Sequence, residues 1–313
     1  MKLKNVIPII IVIILICLPS CSSHNKSSSF SVSYFFQTNT VLDVVAPFDI
    51  WVPIPESDEF QKITNVKIGS KFPHIITIEK EYGNKLAYIK AETDSISVGV
   101  TFDVVRSESA GYKALITPEM RKRLLTADKL GVVDDEIKAI SAKIISGKKT
   151  TLEKARAIYD YVVGKMEYDK TTPGWGQGDT ARACKVGKGN CSDFHTLFIS
   201  LSRAAGIPAC FIYGFAIPKD SSGNAIPHCW AEFYDDESGK WTPVDCSEAK
   251  KHPELRDYYF GKLDANRVAF TRGRDITLEP KQSGVALNFL INPYIEIIGK
   301  EISPTKVEYT FSR

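Results

Sequence analysis

Hydrophobic and polar positions alternate along the first third of the chain. Phe30, Val32, Tyr34 and Phe36 form one such run, and Ile96, Val98, Val100, Phe102 and Val104 form another. A period of two places each set on one face of a β-strand. The stretch "EKEYGNKLAYIK" predicts a hairpin turning at Gly83-Asn84. In "FDIWVPIPESDEFQ", Pro53 and Pro55 lack the amide donor that a ladder needs, which makes the segment an edge strand or a strand end. Residues 30–112 therefore read as a small β-sandwich-like domain, structural or spacing in role, with no catalytic constellation.

The period then changes. Thr117 before Pro118 predicts a helix start, and Asp134 or Asp135 opens a second helix containing Ile137, Ile140 and Ile144. These form a helical connector over 113–149. Thr150 with Glu153 makes a capping box ahead of the stripe Leu152, Ala155, Ile158, Tyr159, Val162 and Met166, and opens a second domain over 150–313. A Gly-rich loop follows. It leads to "GNCSDFHTLFISLSRAAGIPA", where Phe194, Leu197, Phe198, Leu201 and Ala204 have helical spacing and Gly206 and Pro208 supply the stop. "ACFIYGFAI", "HCWAEFY" and "KWTPVDC" read as successive strands of one sheet. Beyond Pro253, "RVAFTRGRDITLEP", "GVALNFLI", "YIEIIG" and "KVEYTF" read as further strands of the second domain. The fold class is α+β, without internal repeats.

Composition adds little to this picture. With 43% hydrophobic and 25% charged residues and a formal charge of +3, the 313-residue chain is globular and has no electrostatic mark of a nucleic-acid binder. The first residues add more. "MKLKNVIPIIIVIILICLPSC" has a basic start and an apolar run of thirteen residues, Val6 to Leu18. That is short for a membrane span and suits a signal peptide over 1–20. "LPSC" resembles the bacterial lipobox, which implies lipidation at Cys21, a Ser-rich tether over 21–29, and a place in the cell envelope facing the periplasm or the exterior. A plain secretory signal cleaved nearby is the other reading.

Asn190 as N-cap, with Asp193 three residues on, puts Cys191 at the first helical position, where unpaired N–H groups and the helix dipole stabilise a thiolate. Five cysteines follow Cys21, at 184, 191, 210, 229 and 246. Two disulfides with Cys191 left free, and five reduced buried thiols, are both open. His228 and Asp245 lie on strands joined by "DDESGK". Pairing Tyr234 with Trp241 sets Asp245 opposite Trp230, diagonal to His228 and on its sheet face, within reach of the imidazole.

The three blocks "GNCSDFHTLFISLSRAAGIPA", "HCWAEFY" and "WTPVDC" resemble those of the transglutaminase-like superfamily, papain-like in core architecture, in the order Cys, His, Asp. The resemblance covers about Thr150 to Cys246, and the preceding β-rich segment resembles the N-terminal region of bacterial members more loosely. It implies Cys191 as nucleophile, His228 as general acid/base and Asp245 as the group that orients the imidazole. An acyl-enzyme on a peptide or protein amide would follow, resolved by water or by an amine, with hydrolysis the favoured outcome. Trp175 in "PGWGQGD" is a candidate oxyanion donor by analogy with the Trp of animal transglutaminases, and otherwise a packing anchor. No cofactor is implied. A non-catalytic envelope binding or scaffolding module that retains the fold is the alternative.

Other residues read as structural. His195 shares a helix face with Cys191 but has no evident carboxylate partner, and reads as a hydrogen-bonded core histidine. Cys184, Cys191, His195 and Cys229 lack the paired spacing of a zinc site. "DDESGK" lacks the alternating acids of a calcium loop. Trp230 and Trp241 read as core aromatics, and Glu232 shares the sheet face of His228 without a defined task.

Overall fold

In the computed structural model of the chain, residues 27–39, 46–92 and 95–313 are described. The signal segment and Cys21 lie outside them.

The first third forms β1 (Ser27–Asn39), β2 (Phe48–Pro53), β3 (Gln61–Ser70), β4 (His74–Ile78), β5 (Lys85–Ala91), β6 (Ser95–Ser107) and β7 (Tyr112–Lys113). Helices α1 (Pro118–Leu125), α2 (Asp135–Ile144) and α3 (Thr151–Lys165) follow, then β8 (Glu167–Tyr168), α4 (Thr180–Val186), β9 (Lys188–Gly189) and α5 (Cys191–Ala204). The remainder holds β10 (Ala209–Ala216), β11 (Ser222–Asn224), β12 (Ile226–Asp235), β13 (Lys240–Val244), α6 (Cys246–Lys251), β14 (Arg267–Arg272), β15 (Tyr294–Ile297), β16 (Lys300–Glu301) and β17 (Lys306–Ser312).

Three five-stranded sheets result, in the orders β11-β17-β1-β6-β3, β16-β15-β2-β5-β4 and β14-β10-β12-β13-β7. The first two enclose one core, in which the alternating residues of β1 and β6 meet those of β2 and β5. Residues 96, 98, 100, 102 and 104 of β6 are all buried, and the residues between them face outward, as period two requires. Pro53 ends a central strand, between β15 and β5, so it marks a strand end and not an edge. The third sheet carries α5 against β12 and β10, with α2, α3, α4 and α6 packed around that helix. Phe215 and Phe270 of the third sheet reach Phe102 and Tyr309 of the first, so one apolar layer runs between them.

The sequence expectation needs three corrections. The C-terminal strands do not stay with the α5 sheet. β15 pairs with β2 and β17 with β1, and only β14 joins β10. "GVALNFLI" forms no strand beyond a single bridge between Ile276 and Leu287. β1 starts at Ser27, inside the expected tether, because Ser27 to Ser29 extend the β1–β6 ladder opposite Val105 to Ser107.

The helix starts follow their caps. Thr117 and Asp134 cap α1 and α2 through side-chain oxygens, and capping boxes open α3 at Thr150 and α5 at Asn190. Among the described residues, no helix is long and apolar enough to cross a membrane.

Candidate active site

Helix α5 brings Cys191 to its first turn, and β12 and the end of β13 bring the other two residues to it. The hairpin register pairs Tyr234 with Trp241 and Ala231 with Val244, so Asp245 follows the last paired residue, as the sequence predicts. His228 Nε2 lies 2.7 Å from Asp245 Oδ2. Cys229 and His228 are the neighbours that most lower the Cys191 thiol. With Nε2 taken by Asp245, Nδ1 is the ring atom left for the sulfur. The exposures of Cys191, His228 and Asp245 are 4%, 4% and 0%, so the group is screened from bulk water.

The charges are tied together. The Cys191 thiol titrates well below its usual range, first because of the neighbouring Cys229 thiol, and then, against the opposing effect of burial, because His228 favours the thiolate. Burial alone would depress the His228 imidazole, but the Asp245 carboxylate and Cys191 push it up to about 10. Asp245 would be raised by burial, yet His228 holds it well below the carboxylate range. A thiolate, an imidazolium and a carboxylate in line is the state these directions describe.

Asp245 does more than face His228. Its Oδ1 accepts from Ser247 Oγ at 3.0 Å and from the Glu248 N–H at 2.9 Å, which caps α6. Its Oδ2 also accepts from Arg267 Nη1 at 3.1 Å, while Arg267 Nη2 holds Asp264 at 2.6 Å. Both oxygens of the buried carboxylate are thus satisfied, which offsets its desolvation.

Cys229 and Arg267 were given no part in the site from sequence. Cys229 follows His228 and points toward α5, 3.6 Å from His195 Nδ1 and 3.8 Å from Ser192 Oγ. His195 is the hydrogen-bonded core residue the pattern predicts, but it does have a carboxylate beside it, since its Nε2 lies 3.4 Å from Asp245 Oδ1. That nitrogen accepts the Cys246 N–H at 3.0 Å, so it carries no proton and the ring proton resides on Nδ1, facing Cys229. Arg267 was also missed, because it arrives from β14, far along the chain. Trp230 is a buried aromatic, as expected, with the Arg267 guanidinium 5.2 Å from its ring.

The loop bearing Trp175 is fastened to the start of α5. Asp193 accepts the Gly176 N–H at 2.7 Å and the Gly178 N–H at 3.1 Å, besides closing the capping box with the Asn190 N–H at 2.9 Å. A Cβ at Gly189 would stand 2.2 Å from an Asp193 carboxylate oxygen, so the close approach needs glycine. Trp175 itself is 37% exposed. All five described cysteines are free and buried, which selects the reduced alternative for them. Among the described residues, no cluster of three or more His, Cys, Asp or Glu is arranged to hold a metal ion.

Residues 138–246 match the family model of the transglutaminase-like superfamily. This stretch has a transglutaminase-like fold. It contains all three sequence blocks and ends at Cys246, just past Asp245. An uncharacterized protein of Haemophilus influenzae is 27% identical over 89% of this chain and 91% of its own length. Among solved structures, a protein of Cytophaga hutchinsonii provisionally designated a cysteine protease aligns with a TM-score of 0.58 at 17% identity, over 91% of this chain and 99% of that one. The shared fold thus extends beyond the transglutaminase-like core to the β-sandwich. The periplasmic domain of TgpA from Pseudomonas aeruginosa aligns at a TM-score of 0.42 and 14% identity, over 72% of this chain and 89% of that one.

Proposed function

We propose that the chain is a cysteine enzyme acting on amide bonds of a peptide or protein, with Cys191 as nucleophile. The observation that carries this reading is the buried Cys191 thiol at the start of α5, lowered in part by a His228 ring that Asp245 holds at 2.7 Å. The Cys191 thiolate attacks the carbonyl carbon and forms the C–S bond. The developing oxyanion is stabilised by the Cys191 backbone N–H, with the Trp175 indole as the candidate second donor. The C–N bond then breaks as the His228 imidazolium delivers its proton to the leaving amine. In the second half, His228 takes a proton from water, the hydroxyl attacks the thioester, and the acid product leaves as the thiolate reforms. An amine in place of water would give transamidation. Water is the abundant acceptor, so hydrolysis is the favoured outcome. The designation of the Cytophaga hutchinsonii protein points the same way. Lipidation at Cys21 would hold the enzyme on an envelope membrane.

The test is the pH dependence of Cys191 alkylation in the full-length protein, followed by mass spectrometry, beside His228→Ala. Rapid labelling down to about pH 6, lost in the variant, is the expected result. Labelling of the wild type only above about pH 8 would overturn the enzyme in favour of a non-catalytic binding module.

A further inference from the structure

The face of strand β12 that carries His228 continues past it. Beyond His228, its residues Trp230 and Glu232 form a wall of a cavity of about 210 Å³ between the α5 sheet and the β-sandwich, and Arg106, Gln61, Arg272 and Tyr112 form others. Cys191, His228 and Asp245 do not line it. The cavity is separate from the triad, and its occupancy is independent of the amide chemistry proposed there.

Most polar groups of the cavity are paired with each other. Gln61 Nε2 donates to the carbonyls of Glu56 and Ala269, and its Oε1 accepts from the Ala269 N–H. Glu232 holds Arg272 at 2.6 Å and faces the Tyr112 hydroxyl at 3.5 Å. Arg106 is the exception. Its side chain is buried at 3% exposure, its Nη1 donates to Gln61 Oε1 at 2.7 Å, and its Nε has no partner. Among the described residues, no carboxylate lies within ion-pair distance of it. Burial, only partly opposed by Asp58, lowers this guanidinium to about 10. A buried charge without a counter-ion is costly, and the fixed fork of arginine matches a carboxylate in two parallel hydrogen bonds. The Trp230 ring, 5.7 Å from the guanidinium carbon, braces that fork.

The rest of the lining has the opposite sign. Glu232 sits on the wall, and Glu56, Asp58 and Glu59 stand exposed at the rim, where Lys85 reaches only Glu56, at 3.6 Å. Phe60, Ile212 and Phe270 supply apolar surface between the two charged zones. The volume corresponds to about seven waters at their share of the liquid, about 30 Å³ each. We propose that this cavity binds a free amino acid with a small apolar side chain, its carboxylate on Arg106 and its ammonium toward Glu232 and the acidic rim.

The test is isothermal titration of the full-length protein with L-valine, beside isovalerate, which lacks the amine, and isobutylamine, which lacks the carboxylate. Valine is expected to bind, with each half-molecule at least tenfold weaker. Arg106→Met should abolish valine binding without lowering the melting temperature of the ligand-free protein, because an unpaired buried charge has been removed. Should that variant fail to fold, Glu56→Gln combined with Glu59→Gln alters only the exposed rim and should weaken valine several-fold. Absence of valine binding up to about 10 mM, or unchanged binding in folded Arg106→Met, would overturn the site. Isovalerate binding as tightly as valine would overturn the zwitterion and leave a carboxylate pocket only.

Discussion

Between the sheets of the β-sandwich, Phe30, Val32 and Phe36 of β1 and Val98, Val100 and Phe102 of β6 meet Ile50, Val52 and Ile89 in a core that is almost wholly apolar. Around α5 the buried set is different. Asp193, His195, Thr196, Ser200 and Arg203 lie on the helix itself, and Asp245, Arg267 and Arg274 are buried about it. These groups are hydrogen-bonded, as in Arg203 to Asp128 at 2.6 Å and Arg274 to Thr196 at 2.9 Å. Apolar burial is non-directional, so the sandwich needs only volume and alternation. A thiolate needs a proton partner in a fixed place, and a hydrogen-bonded network can fix one at the cost of burying polar atoms. The two regions should therefore fail differently.

The largest effect is expected in the sandwich. Phe102 is buried and meets Phe270 edge-on, with ring centroids 5.5 Å apart. Phe102→Ala should cost about 3–5 kcal/mol in urea unfolding, while the alkylation rate of Cys191 in the folded fraction stays at the wild-type value. A changed rate would show that the sandwich tunes the thiol and would end the contrast.

Asp245→Asn should do the reverse. Asn keeps the α6 cap but not the charge between His228 and Arg267, and about 2–3 kcal/mol is expected, together with slower Cys191 labelling. The loss should depend on pH. Asp245 titrates well below its ordinary 3.8, so its contribution is present above about pH 4 and lost as pH falls. His228 is raised from 6.5 to about 10, so its contribution is whole below about pH 6.5 and lost as pH rises toward 10. Thermal melts at pH 3, 5.5 and 9.5 should show the widest gap between variant and wild type at 5.5. A gap independent of pH would remove the ionic account of the pair.

The same contrast explains what could be read from the chain. Alternation in β6 and the capping boxes at Thr150 and Asn190 are local codes, and each matched the structure because it involves neighbours in sequence. The Tyr234–Trp241 register was legible too, since a short turn leaves few pairings. The destinations of β15 and β17 were not, because a strand's period tells which face is buried and not which sheet buries it. β17 alternates between half-buried and exposed residues at a sheet position beside β1, a pattern equally suited to either domain. Arg267 and Cys229 were illegible for a related reason. Arg267 reaches Asp245 across 22 residues, and Cys229 meets Cys191 only because α5 packs onto the face of β12 opposite to Trp230.

Cys229 gives the smallest effect and the sharpest test of the network. Burial and the adjoining Cys191 raise its thiol well above the usual value, so it stays protonated, with Ser192 Oγ 3.8 Å from the sulfur. His195, its proton on Nδ1, backs the sulfur at 3.6 Å. The Cys229 thiol is the first influence lowering Cys191, so Cys229→Ala should move the labelling curve of Cys191 upward and slow labelling at pH 6 several-fold. Cys229→Ser retains a donor of similar reach and should recover most of the rate. The deletion removes one atom from a buried position, so the fold should persist in both variants, as thermal melts would verify. If the Ala and wild-type curves superpose while His228→Ala remains slow, the thiolate is held by the imidazole alone, and the polar core about α5 positions the helix without tuning its sulfur.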